Sequence, residues 1–285
     1  MFCILTEMPE DNTQRLEPIA GGERVQKRQS VGVGSVLNLY KKMGETPRER
    51  LERLRVEKPR YALEVLSYAG RLDPLAEGVL LALVGGENLR REAYLNLDKE
   101  YTLDILFGFS TDSYDVLGRL TDQGSPETIS RRVVAEGLRE FQGKISQEYP
   151  PFSSKTIQGK PMFELARNGM LENIVLPRKS LNIYNISLTE MYKVSEKELL
   201  MYIEDAVGRV NGDFRQEEIL RIWHRTLEKT GARSFPCATV KIECSSGTYA
   251  RSIAHTLGQN LGVPALALHI LRTKVGEHVL EKSLK

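Results

Sequence analysis

The spacing of apolar residues cuts the chain into segments with different periods. Val79 to Val84 is an unbroken apolar run of strand length, which predicts a buried strand. Tyr101, Leu103, Ile105 and Phe107 recur every second residue, so all four face one side of another strand. Leu181 to Leu188 and Ala238 to Cys244 are two further strand candidates. Helical spacing appears elsewhere. Thr46-Pro47-Arg48-Glu49 combines a capping box with proline at the first helical position, Leu51 and Leu54 supply a buried side, and Pro59 sets the end. Val134, Leu138 and Phe141 mark a helix ending near Gly143, and Ile253, Leu257 and Leu261 line one face of a helix that carries Arg251. Helices and strands mix without regular alternation, which predicts an α+β fold.

The stretch from about 189 to 233 reads as two amphipathic helices. Ser195-Glu196-Lys197-Glu198 is a capping box before Leu199, Ile203, Ala206 and Val210. Asp213-Phe214-Arg215-Gln216 opens a second run with Leu220, Trp223 and Leu227, closed by Gly231. Two such helices are expected to pack as a hairpin. Residues 1–33 are polar and charged, with Gly21-Gly22 and the basic Arg24, Lys27 and Arg28, and are expected to form a mobile extension.

Composition narrows the function classes. A net charge of +2 on 285 residues is too mild to announce a nucleic-acid protein. Any such contact must rely on local groups such as Lys41-Lys42, Arg90-Arg91, Arg131-Arg132 and Lys155 with Lys160, each of which reads by default as solvated surface. Cys3, Cys237 and Cys244 have no ligand spacing, and His224, His255, His269 and His278 are scattered, so no metal is expected. The odd cysteine count and the lack of a secretory pattern favour a reducing cytoplasm. No run approaches membrane-spanning length.

Two residues carry candidate chemistry. Asp73 precedes Pro74, a pair common at helix starts, where the carboxylate caps free N–H groups. Arg251 sits about one turn into its helix, where the dipole disfavours a cation, and this suggests a nearby anion. A guanidinium grips a carboxylate with two parallel hydrogen bonds and favours its ionised form. An ionised, oriented Asp73 would suit nucleophilic or proton-abstracting chemistry at a sugar carbon. The plainer alternative is a helix cap and an unrelated surface ion pair. Gly85-Gly86 lacks the residues that a phosphate cradle would need.

An ordered set of motifs extends this picture along most of the chain. It runs from Leu37 to Gly44, through Tyr68-Ala69-Gly70-Arg71-Leu72-Asp73-Pro74, Asp98 to Tyr101 and Gly108 to Asp115. It continues with Gln147 to Lys155 and Gly159, Glu164 to Gly169, Ser246-Gly247-Thr248-Tyr249-Ala250-Arg251, and Leu271-Arg272-Thr273. In this order the motifs resemble the TruB-type pseudouridine synthases. The resemblance implies conversion of uridine to pseudouridine in RNA, most typically in the T loop of tRNA, with no cofactor. It implies a catalytic domain over residues 34–285, built on a mixed, bent central sheet flanked by helices, with the cleft across the sheet and the helical hairpin at 189–233 as an insertion.

By the same resemblance Asp73, Tyr101 and Arg251 are catalytic, with Asp73 acting as nucleophile or base and Tyr101 stacking on the target base. The periodicity alone reads Tyr101 as a core aromatic, and the two readings agree if it lies near a strand end. Tyr68, Lys41, Arg71, Lys155 and Leu271 fall on substrate-binding positions. Several positions depart from the family pattern, among them Gly86-Glu87-Asn88-Leu89-Arg90 in place of Gly-Glu-Ala-Thr-Lys and a lysine displaced by about one position after Pro-Pro-Phe-Ser-Ser. Tyr68 stands where relatives carry histidine, Lys42 replaces a proline, and Arg71 replaces a small residue. The expected partner is the T arm of tRNA, with no membrane or metal, and a monomer is expected. Because the chain ends soon after the last motif, the hairpin is expected to replace part of a C-terminal RNA-binding domain. The alternative from another class is a noncatalytic RNA-binding or tRNA-folding protein with the same cleft.

Overall fold

The computed structural model describes residues 34–171, 174–231 and 233–285, so the expectation for residues 1–33 lies outside the described residues. In chain order, strand β1 (Ser35–Lys41) is followed by helix α1 (Pro47–Glu57), strands β2 (Leu66–Ala69) and β3 (Glu77–Val84), the short helix α2 (Arg91–Leu95) and strand β4 (Lys99–Phe107). A small ribbon of β5 (Phe109–Thr111) and β6 (Leu120–Gln123) precedes helix α3 (Arg131–Leu138) and strand β7 (Gly143–Glu148). The pair β8 (Thr156–Ile157) and β9 (Lys160–Pro161) leads to helix α4 (Met162–Arg167) and the long strand β10 (Arg178–Ser195). Helices α5 (Glu196–Gly208) and α6 (Gln216–Thr230), strand β11 (Ser234–Cys244), helix α7 (Ala250–Leu261) and strands β12 (Ala265–Val275) and β13 (His278–Val279) complete the order.

The central sheet runs β1-β3-β12-β4-β11-β10-β7, with β2 also on β3 and β13 also on β12. It is mixed, because β3 and β12 are parallel while the other neighbours are antiparallel. Register shifts in the β12–β4 and β10–β11 ladders insert extra residues, which bend the strands and increase their twist. Every predicted strand lies inside an observed one. The Thr46 capping box forms as expected, with the Thr46 hydroxyl accepting from the Glu49 N–H and Glu49 accepting from the Thr46 N–H.

One topological detail positions the site. Strand β3 is flanked at its start by β12, where Arg272 faces Gly78, and at its end by β2, where Ala69 faces Leu81. The β2–β3 connection, residues 70–76, therefore emerges where β12 and β2 part. The buried Arg272 fills that fork, donating to the carbonyls of Val79 (2.7 Å), Gly70 (3.0 Å) and Arg71 (3.4 Å). Gly78 makes the close approach possible. Its φ is +106°, and a Cβ there would stand 2.2 Å from the Arg272 carbonyl oxygen.

The hairpin is part of the core. Its boundary differs from the expected one, because β10 and β11 stay paired out to Ser195 and Ser234, so the helical part begins only at Glu196. Leu199, Ile203, Trp223 and Leu227 are buried in the same cluster as the sheet residues Leu103 and Val240, and Trp223 meets Phe109 edge-on at 5.2 Å. The Ser195 capping box forms, and the second run, expected to open at Asp213-Phe214-Arg215-Gln216, becomes helical at Gln216. Arg215 takes the cap position with φ of 63°, while Gln216 accepts from the Phe214 N–H and donates to the carbonyls of Val210 and Gly212, closing the loop between the helices. Gly231 ends α6 in the left-handed conformation, as its sequence position predicts.

Candidate active site

Asp73 does not cap a helix. Pro74 and Leu75 turn directly into β3, and the Asp73 carboxylate projects into the fork region with a quarter of its side chain exposed. Arg251 is the second residue of α7 and is buried. Its Nε donates to Asp73 Oδ2 at 2.8 Å, so the predicted pairing across the chain is present. Its form differs from expectation. The fork is not spent on Asp73 alone, because Nη1 donates to the Ser113 carbonyl (2.7 Å) and Nη2 to the Phe152 carbonyl (2.8 Å). One guanidinium thus joins the β2–β3 connection, the loop after β5 and the segment after β7.

Two cavities meet at Asp73 and share Arg71, Leu72 and Ser154 as lining. One, of about 380 Å³, is walled by the aromatic rings of Tyr68, Phe152, Phe163 and Phe214 and carries Arg48, Arg71, Arg167 and Arg215. The other, of about 320 Å³, has Tyr101 and Ile270 as apolar wall, with Lys99, Lys179 and Arg272 as cations. Tyr101 is the third residue of β4, so its place in the core and its place on a cavity wall coincide. Burial raises its phenol pKa, opposed by the Arg272 guanidinium, so the ring is presented as a neutral phenol.

The other expected substrate contacts divide. Tyr68 and Arg71 line the first cavity, and the Arg71 guanidinium reaches the Tyr68 hydroxyl at 3.4 Å. Lys155 is exposed one residue beyond the cavity wall and lies 5.5 Å from the Tyr149 ring centroid. Leu271 is a correction. Ile270 is the β12 residue on the cavity wall, and successive strand residues face opposite sides, so Leu271 points away. Lys41 is a second correction. It is fully buried, and its ammonium donates to the carbonyls of Lys42, Asp73, Pro74 and Ala76. No N–H is left for an RNA phosphate. Burial pushes its pKa down to about 7.

Asp115 ends the Gly108–Asp115 motif, from which the sequence alone assigns it no role. Its buried carboxylate lines the first cavity, accepts from the Ser113 hydroxyl (2.6 Å) and the Leu117 N–H (3.1 Å), and faces Arg251. Burial raises its pKa to about 6 against the pull of Arg251 and the Ser113 hydrogen bond. Arg272, also in a quoted motif, carried no signal for its stitching role, because that role depends on where β2 and β12 diverge. Among the described residues no cluster of histidine, cysteine or acidic side chains has a metal-holding arrangement. No helix among them is long and apolar enough to cross a membrane.

The mixed central sheet flanked by helices is the fold that the motif resemblance implies. The chain belongs to the TruB family of pseudouridylate synthases, whose N-terminal domain model matches residues 58–210, more than half of the chain. Tyr68, Asp73 and Tyr101 fall inside that span. The tRNA pseudouridine synthase B of Protochlamydia amoebophila is 31% identical over 278 residues, covering 92% of this chain and 88% of the relative. The enzyme of the same name from Caldanaerobacter subterraneus is 28% identical over 253 residues, covering 89% of this chain and 73% of the relative. Among solved structures, a Cbf5-Nop10-Gar1 complex matches in fold, with a TM-score of 0.51 at 19% identity. That match covers 86% of this chain but only 49% of the solved one, so the chain spans about half its length.

Proposed function

We propose that this pseudouridine synthase isomerises a uridine in the T loop of tRNA, with Asp73, Tyr101 and Arg251 as its catalytic residues. The observation that carries the reading is the Arg251–Asp73 contact at the junction of two cavities, each of which combines apolar or aromatic walls with cations. The relatives named tRNA pseudouridine synthase B support tRNA as the substrate.

A uridine stacked in a loop has its reacting atoms covered, so it must be extruded at a cost of roughly a few kcal/mol. The cavity walled by Tyr101 and Ile270 accepts the extruded uracil. The ring face of Tyr101 stacks on it, and Lys179 and Arg272 supply positive charge beside its backbone. The aromatic and arginine-lined cavity takes the loop nucleotides left behind, with Tyr68 bracing the vacated stack in place of an imidazole. The Asp73 carboxylate then attacks the sugar or base, or removes a sugar proton. The C1′–N1 bond breaks, the uracil turns, C1′ joins C5, the C5 proton leaves and N1 takes one up, with no net redox change. Arg251 orients Asp73 throughout and keeps its charge compensated.

Residues 34–285 act as one catalytic domain that includes the hairpin, and the common core of hairpin and sheet supports this. Both partners of the central contact come from one chain, which supports a functional monomer. The free, buried Cys237 and Cys244 are in keeping with a cytoplasmic enzyme. The test is isomerised uridine in an unmodified tRNA transcript incubated with wild type and with Asp73→Asn. Product from wild type and none from the variant is expected. Equal rates would remove Asp73 from the reaction, and tRNA binding without product from either protein would leave only a binding protein.

A further inference from the structure

The loop between α5 and α6 reaches the site through one residue. Arg215 has a left-handed φ of 63°, a conformation unfavourable for a non-glycine residue that persists where surrounding contacts hold it. Its guanidinium makes a two-pronged contact with Asp112, Nη1 to Oδ2 at 2.6 Å and Nη2 to Oδ1 at 3.2 Å. The same group lies 4.6 Å from the centroid of the Phe152 ring. Arg251 meanwhile donates to the carbonyls of Ser113 and Phe152. The two arginines therefore engage the same two segments, Asp112–Ser113 and Phe152, Arg251 through backbone carbonyls and Arg215 through the Asp112 carboxylate and the Phe152 ring. Arg167 adds a third tie, donating from Nη2 to the Asp213 carbonyl at 2.7 Å.

We propose that Arg215 is a positioning residue: by clamping Asp112 to Phe152 it holds the two carbonyls that orient the Arg251 guanidinium against Asp73. The hairpin thus serves the reaction as a brace for the active centre, and this role replaces the expectation that it substitutes for an RNA-binding domain. The inference rests on the reading of Asp73 and Arg251 as catalytic. Arg215 borders the first cavity, so an RNA phosphate contact is the rival role. Asp112 and Glu218 together match the charges of Arg215 and Arg119, and the Arg215 side chain is only 15% exposed, both of which favour the clamp. Lysine cannot do the same work, because a point charge supplies neither the fork nor a planar face for Phe152.

The experiment compares wild type, Arg215→Ala and Arg215→Lys as full chains on a tRNA transcript, measuring kcat, KM and the salt dependence of binding, with amide hydrogen exchange of peptides spanning Phe152. The clamp predicts a fall in kcat of about tenfold or more in both variants, since small misplacements near reacting groups are costly. KM and the salt slope stay unchanged, and exchange at Phe152 to Thr156 quickens. Arg215→Lys keeps the charge beside Asp112 and carries the test should the alanine variant not fold. Unchanged kcat, or a loss confined to KM with a salt slope smaller by about one, overturns the proposal, and the second result makes Arg215 a phosphate contact. If wild type forms no pseudouridine, the catalytic reading fails first. The exchange measurement then still decides whether Arg215 holds Phe152, and unchanged exchange refutes the clamp by itself.

Discussion

Arg251 Nε and Asp73 Oδ2 meet at 2.8 Å although 178 residues separate them in the chain. The contact is one arm of three, and the other two arms hold the carbonyls of Ser113 and Phe152. A lysine could neutralise Asp73 but could not serve three acceptors lying in the plane of a guanidinium. Arg251→Lys is therefore expected to lower kcat by about a hundredfold or more, a loss of the size seen when a preorganised donor is removed. It should also lower the melting temperature, because two buried carbonyls lose their partner. Turnover near the wild-type value would show that the charge alone suffices.

Tyr101 gives a graded comparison. Tyr101→Ala removes the ring that walls the second cavity, and base stacking on such a ring is worth about 1–3 kcal/mol. Weaker binding of tRNA by about ten- to a hundredfold is expected. Tyr101→Phe keeps the ring and leaves affinity close to wild type, so any loss in kcat of that variant isolates the hydroxyl, which burial and Arg272 hold as a neutral phenol. Equal affinity in the alanine variant and wild type would exclude stacking.

The basic residues near the site sort into two kinds by salt titration of tRNA binding. Arg71 is exposed at the rim shared by both cavities, so Arg71→Ala should reduce the slope of log affinity against log salt by about 0.7–0.9, as for one lost phosphate contact. Lys41 is buried under the Asp73 loop, and Lys41→Met should leave the slope alone. That variant leaves the Ala76 carbonyl without its donor, while the Asp73 and Pro74 carbonyls keep the N–H groups of Ala76 and Gly44, with an expected loss of about 1–3 kcal/mol in unfolding free energy. A Lys41→Met protein of wild-type stability and reduced salt slope would restore Lys41 as an RNA contact.

These contrasts mark how far the sequence could be read. The strands and most helix ends were legible because they follow from local spacing and caps: the Thr46 and Ser195 boxes formed as written. The Asp73–Arg251 pairing is legible because a cation at a helix start suggests a nearby anion and the motif resemblance supplies Asp73, which on its own reads as a helix cap. Lys41 is not legible as a buried donor, because a basic dipeptide looks solvated until three carbonyls of a distant loop join that of Lys42 around its ammonium. Leu271 was misread by one position, which in a strand exchanges one face for the other. Arg215 left no signal, because its left-handed backbone and its hold on Asp112 arise only when the hairpin packs on the ribbon of β5 and β6.

A last prediction concerns stability rather than turnover. His269 on β12 lies between two carboxylates, its Nε2 3.0 Å from Glu77 Oε1 and its Nδ1 3.7 Å from Asp104 Oδ2. Tyr40 donates its hydroxyl to Glu77, and Thr239 donates to Asp104, so both acids are held in place. Burial pulls the imidazole pKa down, but the Asp104 carboxylate at 3.7 Å and the hydrogen-bonded Glu77 outweigh it and raise the value to about 9. The folded protein therefore keeps this proton more tightly than the unfolded chain, whose histidine titrates near about 6.5. The stabilisation is complete below about 6.5 and is lost as pH rises through about 9. Lys41 and Lys99, with pKa values lowered by burial, change stability in the opposite sense over part of that range. The measurement is therefore the difference in unfolding free energy between wild type and His269→Gln. It should be on the order of 1–3 kcal/mol at pH 6 and shrink steadily toward pH 10. A difference that is flat across this range would mean that His269 stays neutral between its two acids.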